Sequence, residues 1–240
     1  MEDLLHNPVY YALLSGNAHL GFGTESVRCF DEEVSPLAGF HETYANGFED
    51  LYQLLPGGRK ILYATPTVIA EPKDWEILVE VKGLQFIYTK GLASFQSSIK
   101  TTPLQKQHVD EMVALAALTR PGPFSSRTIE FGNYFGIFEN DKLVAMAGQR
   151  LHVTDDAEIS AVCTHPDYLG RGYAAALIHQ QINLILEQQC HPFLHVRVDN
   201  QRAIALYKRL GFEISRPMNF YFMKRKADIE LGNNFFSLLS

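Results

Sequence analysis

A strand, a loop with two glycines and a long helix are indicated in succession between residues 158 and 186. Residues 158–164 alternate in the manner of a strand, and apolar residues recur at helical spacing from about residue 174. Gly170 and Gly172 lie between them, and the lack of a Cβ atom lets backbone N–H groups approach a ligand closely. The start of the helix adds unpaired N–H donors and a partial positive charge. The sequence therefore predicts an anion-binding loop.

The same loop also fits the dinucleotide-binding pattern G-x-G-x-x-A over residues 170–175. A dinucleotide turn follows its strand almost at once and needs an acidic residue about 20 positions later, at the end of the next strand. Here residues 165–168 separate the strand from the glycines, and Asp199 comes too late. We therefore interpret this match as accidental. An ordinary tight connection between a strand and a helix is the other alternative for a glycine pair.

Periodicity and turn residues predict the elements around the loop. Pro121-Gly122-Pro123 is expected to end a helix, Asn140-Asp141 to turn a hairpin, and Gly211 to close the last helix. The expected elements are a helix over 104–119, strands over 134–138, 143–148 and 158–164, a helix from about 172 to before Pro192, a strand over 193–198, a helix over 201–210 and a strand over 219–223.

The first part of the chain carries weaker signals. Residues 89–103 are rich in serine and threonine and end at a proline, which predicts a linker. Before the linker, short helices are expected over 7–14 and 47–54, and strands over 61–64 and 76–88. We therefore divide the chain into an α+β region over 1–95 without a chemical motif, a second domain over 104–226 and a tail over 227–240.

Composition excludes several classes of protein. The chain of 240 residues has 21 basic and 27 acidic side chains, and its net charge of −6 opposes binding to nucleic acid. No apolar run approaches the roughly 20 residues that cross a membrane, and the N-terminus lacks the pattern of a secretory signal. Cys29, Cys163 and Cys190 are odd in number and widely spaced, which indicates free thiols. We expect a cytoplasmic protein.

Two stretches carry a specific resemblance. Residues 162–174 read VCTHPDYLGRGYA and resemble the acetyl-CoA loop of GCN5-related N-acetyltransferases (GNAT), whose pattern is Q/R-x-x-G-x-G/A. Residues 195–212 read HVRVDNQRAIALYKRLGF and resemble the second signature of that family, especially of its FR47-like branch. Leu169 departs from the pattern, because the family usually has Gln or Arg there. Backbone N–H groups supply much of the grip on a pyrophosphate, so this departure should weaken binding without abolishing the site.

The resemblance implies an α/β (α+β) fold with a central mixed, mostly antiparallel sheet, plus the smaller N-terminal region. It also implies an acetyltransferase that moves the acetyl group of acetyl-CoA to a primary amine of a small molecule or a peptide. The N-terminal region is then either a degenerate second acyltransferase-like half or a cap that narrows the amine site. The implied acetyl-CoA-binding residues are Val162, Cys163, Thr164, Leu169, Gly170, Arg171, Gly172, Tyr173, Ala174, Asn200, Ala203 and Tyr207.

Some of these positions have alternative roles. Val162, Cys163 and Thr164 would offer backbone groups to the pantetheine arm, as an added strand does, or their side chains are simply core. Asn200 would hydrogen-bond the pantetheine or cap the following helix.

Acyl transfer to an amine needs a base for the ammonium and an acid for the departing sulfur. The resemblance implies Tyr207 as the general acid, and a packed tyrosine is the alternative. It implies Glu158 as the base, and its apolar neighbours predict a pKa raised by desolvation. The alternative for Glu158 is a carboxylate that does not titrate. Cys163 lacks the histidine pattern of a covalent nucleophile, and no metal-binding spacing occurs, so we expect no metal site.

Other functions remain open on the sequence. One is a non-catalytic module that binds or senses acyl-CoA, and another is a transferase of a longer acyl group. Tyr221 and Phe222, together with the tail, are candidates for a homodimer contact, although an ordinary sheet position and a frayed terminus fit equally well.

Overall fold

The computed structural model describes residues 3–92 and 98–227. Within these residues, eleven strands form one sheet and five α-helices pack on its two faces. The strands are β1 (Gly21–Gly23), β2 (Val27–Phe30), β3 (Leu37–Phe40), β4 (Lys60–Thr65), β5 (Trp75–Tyr88), β6 (Thr102–Pro103), β7 (Phe135–Glu139), β8 (Lys142–Val153), β9 (Asp156–Thr164), β10 (His191–Arg197) and β11 (Phe212–Arg225). The helices are α1 (Pro8–Leu14), α2 (Gly47–Leu54), α3 (Val109–Thr119), α4 (Tyr173–Glu187) and α5 (Gln201–Arg209).

The sheet is mixed and mostly antiparallel, as the resemblance implied. Its strand order is β1-β2-β3-β4-β11-β5-β10-β9-β8-β7-β6. The parallel pairs among the described residues are β3 with β4 and β9 with β10. Asn140 and Asp141 both have positive φ, of 50° and 59°, and join β7 to β8. This geometry matches the right-handed twist of the strands, so the predicted hairpin turn is confirmed.

Two predicted boundaries were wrong. Helix α3 begins at Val109 rather than at residue 104, because a 3₁₀ turn over Lys106–His108 precedes it. The side chains of Gln105 and His108 each accept a hydrogen bond from the backbone of the other, which fixes the start of that turn. Strand β11 is also much longer than the expected 219–223, because it lies between β4 and β5 and pairs along its whole length. Strands β1, β2, β3 and β6 were not predicted.

Strand β5 belongs to the N-terminal region and lies in the centre of the sheet, between β11 and β10. It pairs antiparallel with β10 from Phe193↔Ile87 to Arg197↔Gly83, and with β11 from Phe212↔Tyr88 to Arg225↔Trp75. Residues 1–95 and 104–226 therefore share one hydrogen-bonded sheet. The division of the chain into two domains stays a prediction, namely that each part folds without the other. The expected linker includes residues 93–97, which lie outside the described residues.

The two faces of the sheet carry different helices. Helices α1 and α3 cover one face with residues such as Leu13 and Met112, whereas α2, α4 and α5 cover the other. Alternation along β11 follows this division, since Met218 packs towards α1 and α3 and Tyr221 packs towards α2. We call these the α1/α3 face and the α4/α5 face.

Tyr221 is buried, and its hydroxyl accepts a hydrogen bond from the backbone N–H of Ile69 at 3.2 Å. Its side chain is therefore part of the core and not available for a contact between subunits. Residues 228–240, which make up nearly all of the proposed tail, lie outside the described residues. All three cysteines are free thiols. Among residues 3–92 and 98–227, no helix combines the length and the apolar character that crossing a membrane requires.

Candidate active site

Strands β9 and β10 diverge shortly after they begin to pair. Their parallel pairing runs only from His191↔Asp156 to Phe193↔Glu158. Beyond that point Cys163 and Thr164 pair with β8 on one side, and no described strand pairs with their other edge. The hydroxyl oxygen of Thr164 is buried and has no hydrogen-bond partner among the described residues. The divergence therefore leaves hydrogen-bonding groups open at the end of β9.

The loop after β9 depends on its two glycines. Gly170 and Gly172 have φ of 81° and 84°, a left-handed conformation that glycine adopts without a steric penalty. Gly172 is the N-cap of α4, so the N–H groups of the first turn of that helix open towards the loop. A Cβ atom built on Gly170 would meet nothing within 4 Å. Arg171 lies over the Tyr168 ring, with its guanidinium carbon 4.8 Å from the ring centroid.

A cleft of about 450 Å³ lies between this loop and α5. Arg202 and Arg209, seven residues apart on α5, bring two positive charges to its wall. Sequence reasoning missed both arginines, although their spacing places them on one face of a helix. Leu169 also lines the cleft. The lining residues are Thr164, Tyr168, Leu169, Gly170, Gly172, Tyr173, Ala174, Ala175, Arg202, Ala205, Leu206 and Arg209.

Asn200 caps the start of α5, and Tyr207 lies on that helix. The side-chain oxygen of Asn200 accepts a hydrogen bond from the backbone N–H of Ala203 at 3.1 Å, which confirms the capping alternative. Tyr207 is buried among apolar side chains, and its ring packs against those of Phe86 and Phe212. Burial raises the pKa of Tyr207 to about 12, so its hydroxyl stays protonated near neutral pH.

Glu158 is buried on the α1/α3 face, at the point where β9 and β10 diverge. Arg150 binds both of its carboxylate oxygens, with Nε at 2.8 Å from Oε2 and Nη2 at 2.6 Å from Oε1. Nδ1 of His195 lies 2.8 Å from the same Oε1. A β-bulge places this arginine, because Arg150 and Leu151 together lie opposite the single residue Glu158.

The expected raised pKa of Glu158 was wrong. Burial by itself would raise it, but the charge of Arg150 and hydrogen bonds from Arg150 and His195 outweigh burial and lower the pKa to about 2. Glu158 is therefore an ionised hydrogen-bond acceptor near neutral pH, and His195 Nδ1 carries the hydrogen between them. Sequence reasoning had placed His195 only in the second family signature and had missed Arg150.

Cys163 lies on β9, close to the open end of the strand. Burial raises the pKa of its thiol to about 11, and hydrogen bonds with Thr119 and with the backbone of Met146 lower it only in part. A nucleophilic cysteine needs a lowered pKa, so this thiol is unsuited to forming a covalent acyl intermediate.

Comparisons with known proteins bear on this site. The family model of the FR47-like proteins matches residues 134–221, which include the loop and α5. The [ribosomal protein bS18]-alanine N-acetyltransferase of Escherichia coli K12 is 32% identical over 127 residues, which cover 52% of this chain and 85% of that protein.

Solved structures extend the similarity beyond this half of the chain. One from Novosphingobium aromaticivorans, whose protein is assigned to the GNAT family of acetyltransferases, is 32% identical with a TM-score of 0.88 over 94% of this chain and 100% of that one. A GCN5-related N-acetyltransferase from Kribbella flavida has the same fold at 13% identity, with a TM-score of 0.61 over 91% of this chain and 95% of the other. The first of these matches reaches into residues 1–95.

Proposed function

Because the chain belongs to the GCN5-related N-acetyltransferase (GNAT) family, as an FR47-like acetyltransferase, we propose that it binds acetyl-CoA and a primary amine in a ternary complex and transfers the acetyl group to the amine. Acetyl-CoA supplies the acetyl group as a thioester, and the amine of a small molecule or a peptide attacks it directly. The observation that carries this proposal is the buried Glu158–His195 pair at the divergence of β9 and β10, on the strand that leads into the glycine loop. No covalent enzyme intermediate is needed, which agrees with the high pKa of Cys163.

The residues of the cleft fit coenzyme A. The loop and the first turn of α4 offer backbone N–H groups to the pyrophosphate, and Arg202 and Arg209 offer positive charge to the phosphates. The Thr164 hydroxyl, which has no partner among the described residues, and the open edge of Val162, Cys163 and Thr164 suit the amide groups of pantetheine. Asn200 uses its oxygen for the helix cap, so its amide hydrogens are the groups that would meet the cofactor.

Replacement of Gly170 with valine should weaken acetyl-CoA binding by about tenfold or more, which corresponds to about 1.4 kcal/mol. The new side chain would strain a left-handed backbone and stand where the loop meets the cleft. Gly58→Val is a matched control, because Gly58 has φ of 77° and equally open surroundings but lies outside the cleft. Calorimetry with acetyl-CoA measures both variants. Equal affinities in the two would contradict this assignment of the loop.

We assign the base role to Glu158 and His195 acting together. Glu158 is held ionised by Arg150 and accepts the Nδ1–H of His195, which orients the ring. The other ring nitrogen, Nε2, then carries the lone pair that can take a proton, once the incoming ammonium displaces the Gln85 amide that lies 3.2 Å from it. Imidazole is the commonest general base near neutral pH. Glu158 itself has too low a pKa to hold that proton.

Tyr207 is the proposed proton donor to the departing sulfur. With its pKa raised to about 12, well above the value of about 8.5 for a thiol, the hydroxyl stabilises the sulfur mainly by donating a hydrogen bond. Tyr207→Phe should therefore lower kcat by about 100-fold, with a loss that is the same from about pH 6 to 9.

Tyr88→Phe is the control, since Tyr88 packs on the same Phe212 ring and donates its hydroxyl to the Gly91 carbonyl. Steady-state turnover of both variants across the pH range makes the comparison. Unchanged turnover in Tyr207→Phe would remove this residue from the mechanism.

The acceptor is identified by following CoA thiol release with amino acids, polyamines, aminoglycosides and peptides. The E. coli relative is named for an alanine of ribosomal protein bS18, so a peptide that begins with alanine is the first acceptor to test. Intersecting steady-state patterns would support the ternary complex, whereas a ping-pong pattern would refute direct attack. Absence of thiol release with every amine would refute the proposed function.

We also propose that the enzyme works in the cytoplasm. Cys29, Cys163 and Cys190 are all free thiols, and a reducing compartment keeps thiols in that state.

A further inference from the structure

We propose that Gln85, on the strand contributed by the N-terminal region, is a positioning residue for His195. Its amide N–H donates to Nε2 of His195 and so favours the neutral imidazole, with the hydrogen on Nδ1 and the lone pair on Nε2. The inference rests on the proposed function only for the catalytic use of His195. Gln85 is fully buried on β5, where it lies opposite His195 of β10 and Arg216 of β11.

The hydrogen bonds of Gln85 fix the orientation of its amide. Nε2 lies 2.8 Å from the backbone oxygen of Leu5, and a carbonyl oxygen can only accept, so the nitrogen of the amide must face it. The same Nε2 lies 3.2 Å from Nε2 of His195. Gln85 therefore presents an N–H donor to this ring nitrogen.

Both neighbours of His195 then favour one form of the ring. Glu158 accepts from Nδ1, which places the hydrogen there, and Gln85 donates to Nε2, which requires a lone pair there. If Nε2 of His195 carried a proton, its N–H and the N–H of Gln85 would face each other as two donors without an acceptor. The donor from Gln85 therefore favours the neutral ring, in the same tautomer that Glu158 orients.

The remaining surroundings hold the ring without competing for Nε2. The rings of Phe193 and Phe220 lie edge-on to His195, at 5.7 and 5.4 Å between centroids. The charged and titratable groups near this pair are Glu158 on β9, Arg150 and His152 on β8, Tyr134 just before β7, Arg216 on β11, and Asp3 and His6 near the N-terminus. Of these, Glu158 contacts the ring, and Arg216 binds Asp3 and lies 3.4 Å from His6 Nδ1.

The unused atom of Gln85 argues against a role in packing alone. Its Oε1 is buried and has no hydrogen-bond partner among the described residues. An unpaired buried acceptor is unfavourable, and a leucine or methionine would fill the same space without it. The donor that Gln85 offers to His195 is the property that these apolar side chains lack.

The test measures the protonation of His195 in the protein without substrate. Histidine-ring ¹⁵N NMR follows the nine histidines against pH, and His195→Gln identifies the signals of His195. Gln85→Glu should raise the pH at which His195 titrates by about one to three units, because a carboxylate would accept from a charged ring. Gln85→Met, which only removes the donor, should raise it by less.

Gln181→Met is the matched control. Gln181 is also fully buried and donates Nε2 to a backbone oxygen, that of Asn133 at 2.6 Å, but it lies on α4 on the other face of the sheet. The inference is supported if both Gln85 variants shift the His195 titration upwards and Gln181→Met does not. It is overturned if the titration is unchanged in either Gln85 variant, with near-ultraviolet circular dichroism showing that each variant is folded.

The pH dependence of kcat/KM separates this inference from the proposed function. If His195 is the base, the acid limb of the profile should move upwards with the NMR titration in Gln85→Glu and Gln85→Met. If the NMR titration moves while the profile stays in place, the role of Gln85 stands and the assignment of His195 as the base fails.

Discussion

Arg150→Met should destabilise the protein by about 3–5 kcal/mol, because it leaves the Glu158 carboxylate buried without its ion-pair partner. Both side chains are largely buried, at 15% and 1% exposure, so water cannot replace the lost interaction. Denaturant unfolding measures the loss. Arg127→Met is the control, since Arg127 also pairs with carboxylates but is 39% exposed, and solvent screening should make its loss much smaller.

The double variant Arg150→Met with Glu158→Gln should be more stable than Arg150→Met alone. Glutamine removes the unpaired charge and still accepts the hydrogen bond from His195. The double variant should nonetheless be poorly active, because its neutral amide cannot support a protonated His195. A double variant no more stable than Arg150→Met would contradict the account of this buried pair.

The stability of the protein should also depend on pH through Glu158. Its pKa is lowered from 4.5 to about 2 in the folded state, so the pair stabilises the fold fully above pH 4.5 and loses its effect as the pH falls towards 2. In Arg150→Met, burial raises the pKa of Glu158 instead. The difference in the free energy of unfolding between the unchanged protein and Arg150→Met should therefore shrink as the pH falls.

Residues 96–240 expressed without residues 1–95 should fail to fold. Strand β5 lies between β10 and β11, so its removal leaves two long edges without hydrogen-bond partners in the centre of the sheet. It also removes Phe86 and Tyr88 from the cluster that includes Tyr207 and Phe212. Circular dichroism and thermal unfolding measure the outcome.

Coexpression of residues 1–95 with residues 96–240 is the matching experiment. The two pieces carry every described strand and should reassemble into a soluble complex, because only one peptide bond is lost. A cooperative unfolding transition for 96–240 alone would support the division into two independent domains and refute the requirement for β5.

Sequence reasoning succeeded where residues close in the chain decide the conformation. Gly211 has the positive φ expected of a glycine that closes the last helix, and Asn140 and Asp141 form the predicted hairpin turn. Helix α4 begins at Tyr173 as its apolar spacing indicated. Steric limits on φ and the period of a helix act over a few residues, so the amino-acid pattern carries them directly.

Sequence reasoning failed where residues distant in the chain decide a property. The neighbours of Glu158 in the sequence are apolar and predicted a raised pKa, but a bulge brings Arg150 to it and strand pairing brings His195, and the pKa falls. No short-range pattern shows that a strand from the N-terminal region lies beside β10. Gln85 and His195, which meet there, are 110 positions apart in the chain.

The sequence by itself determined the glycine loop between β9 and α4, the family and most of the helices and strands from residue 104 onwards, because these depend on local conformation and on short signatures. The tertiary structure alone decided which groups surround Glu158, that Arg202 and Arg209 line the cleft, and that β5 completes the sheet. The physical reason is that charges and hydrogen bonds act through space, whereas periodicity records only the order along the chain.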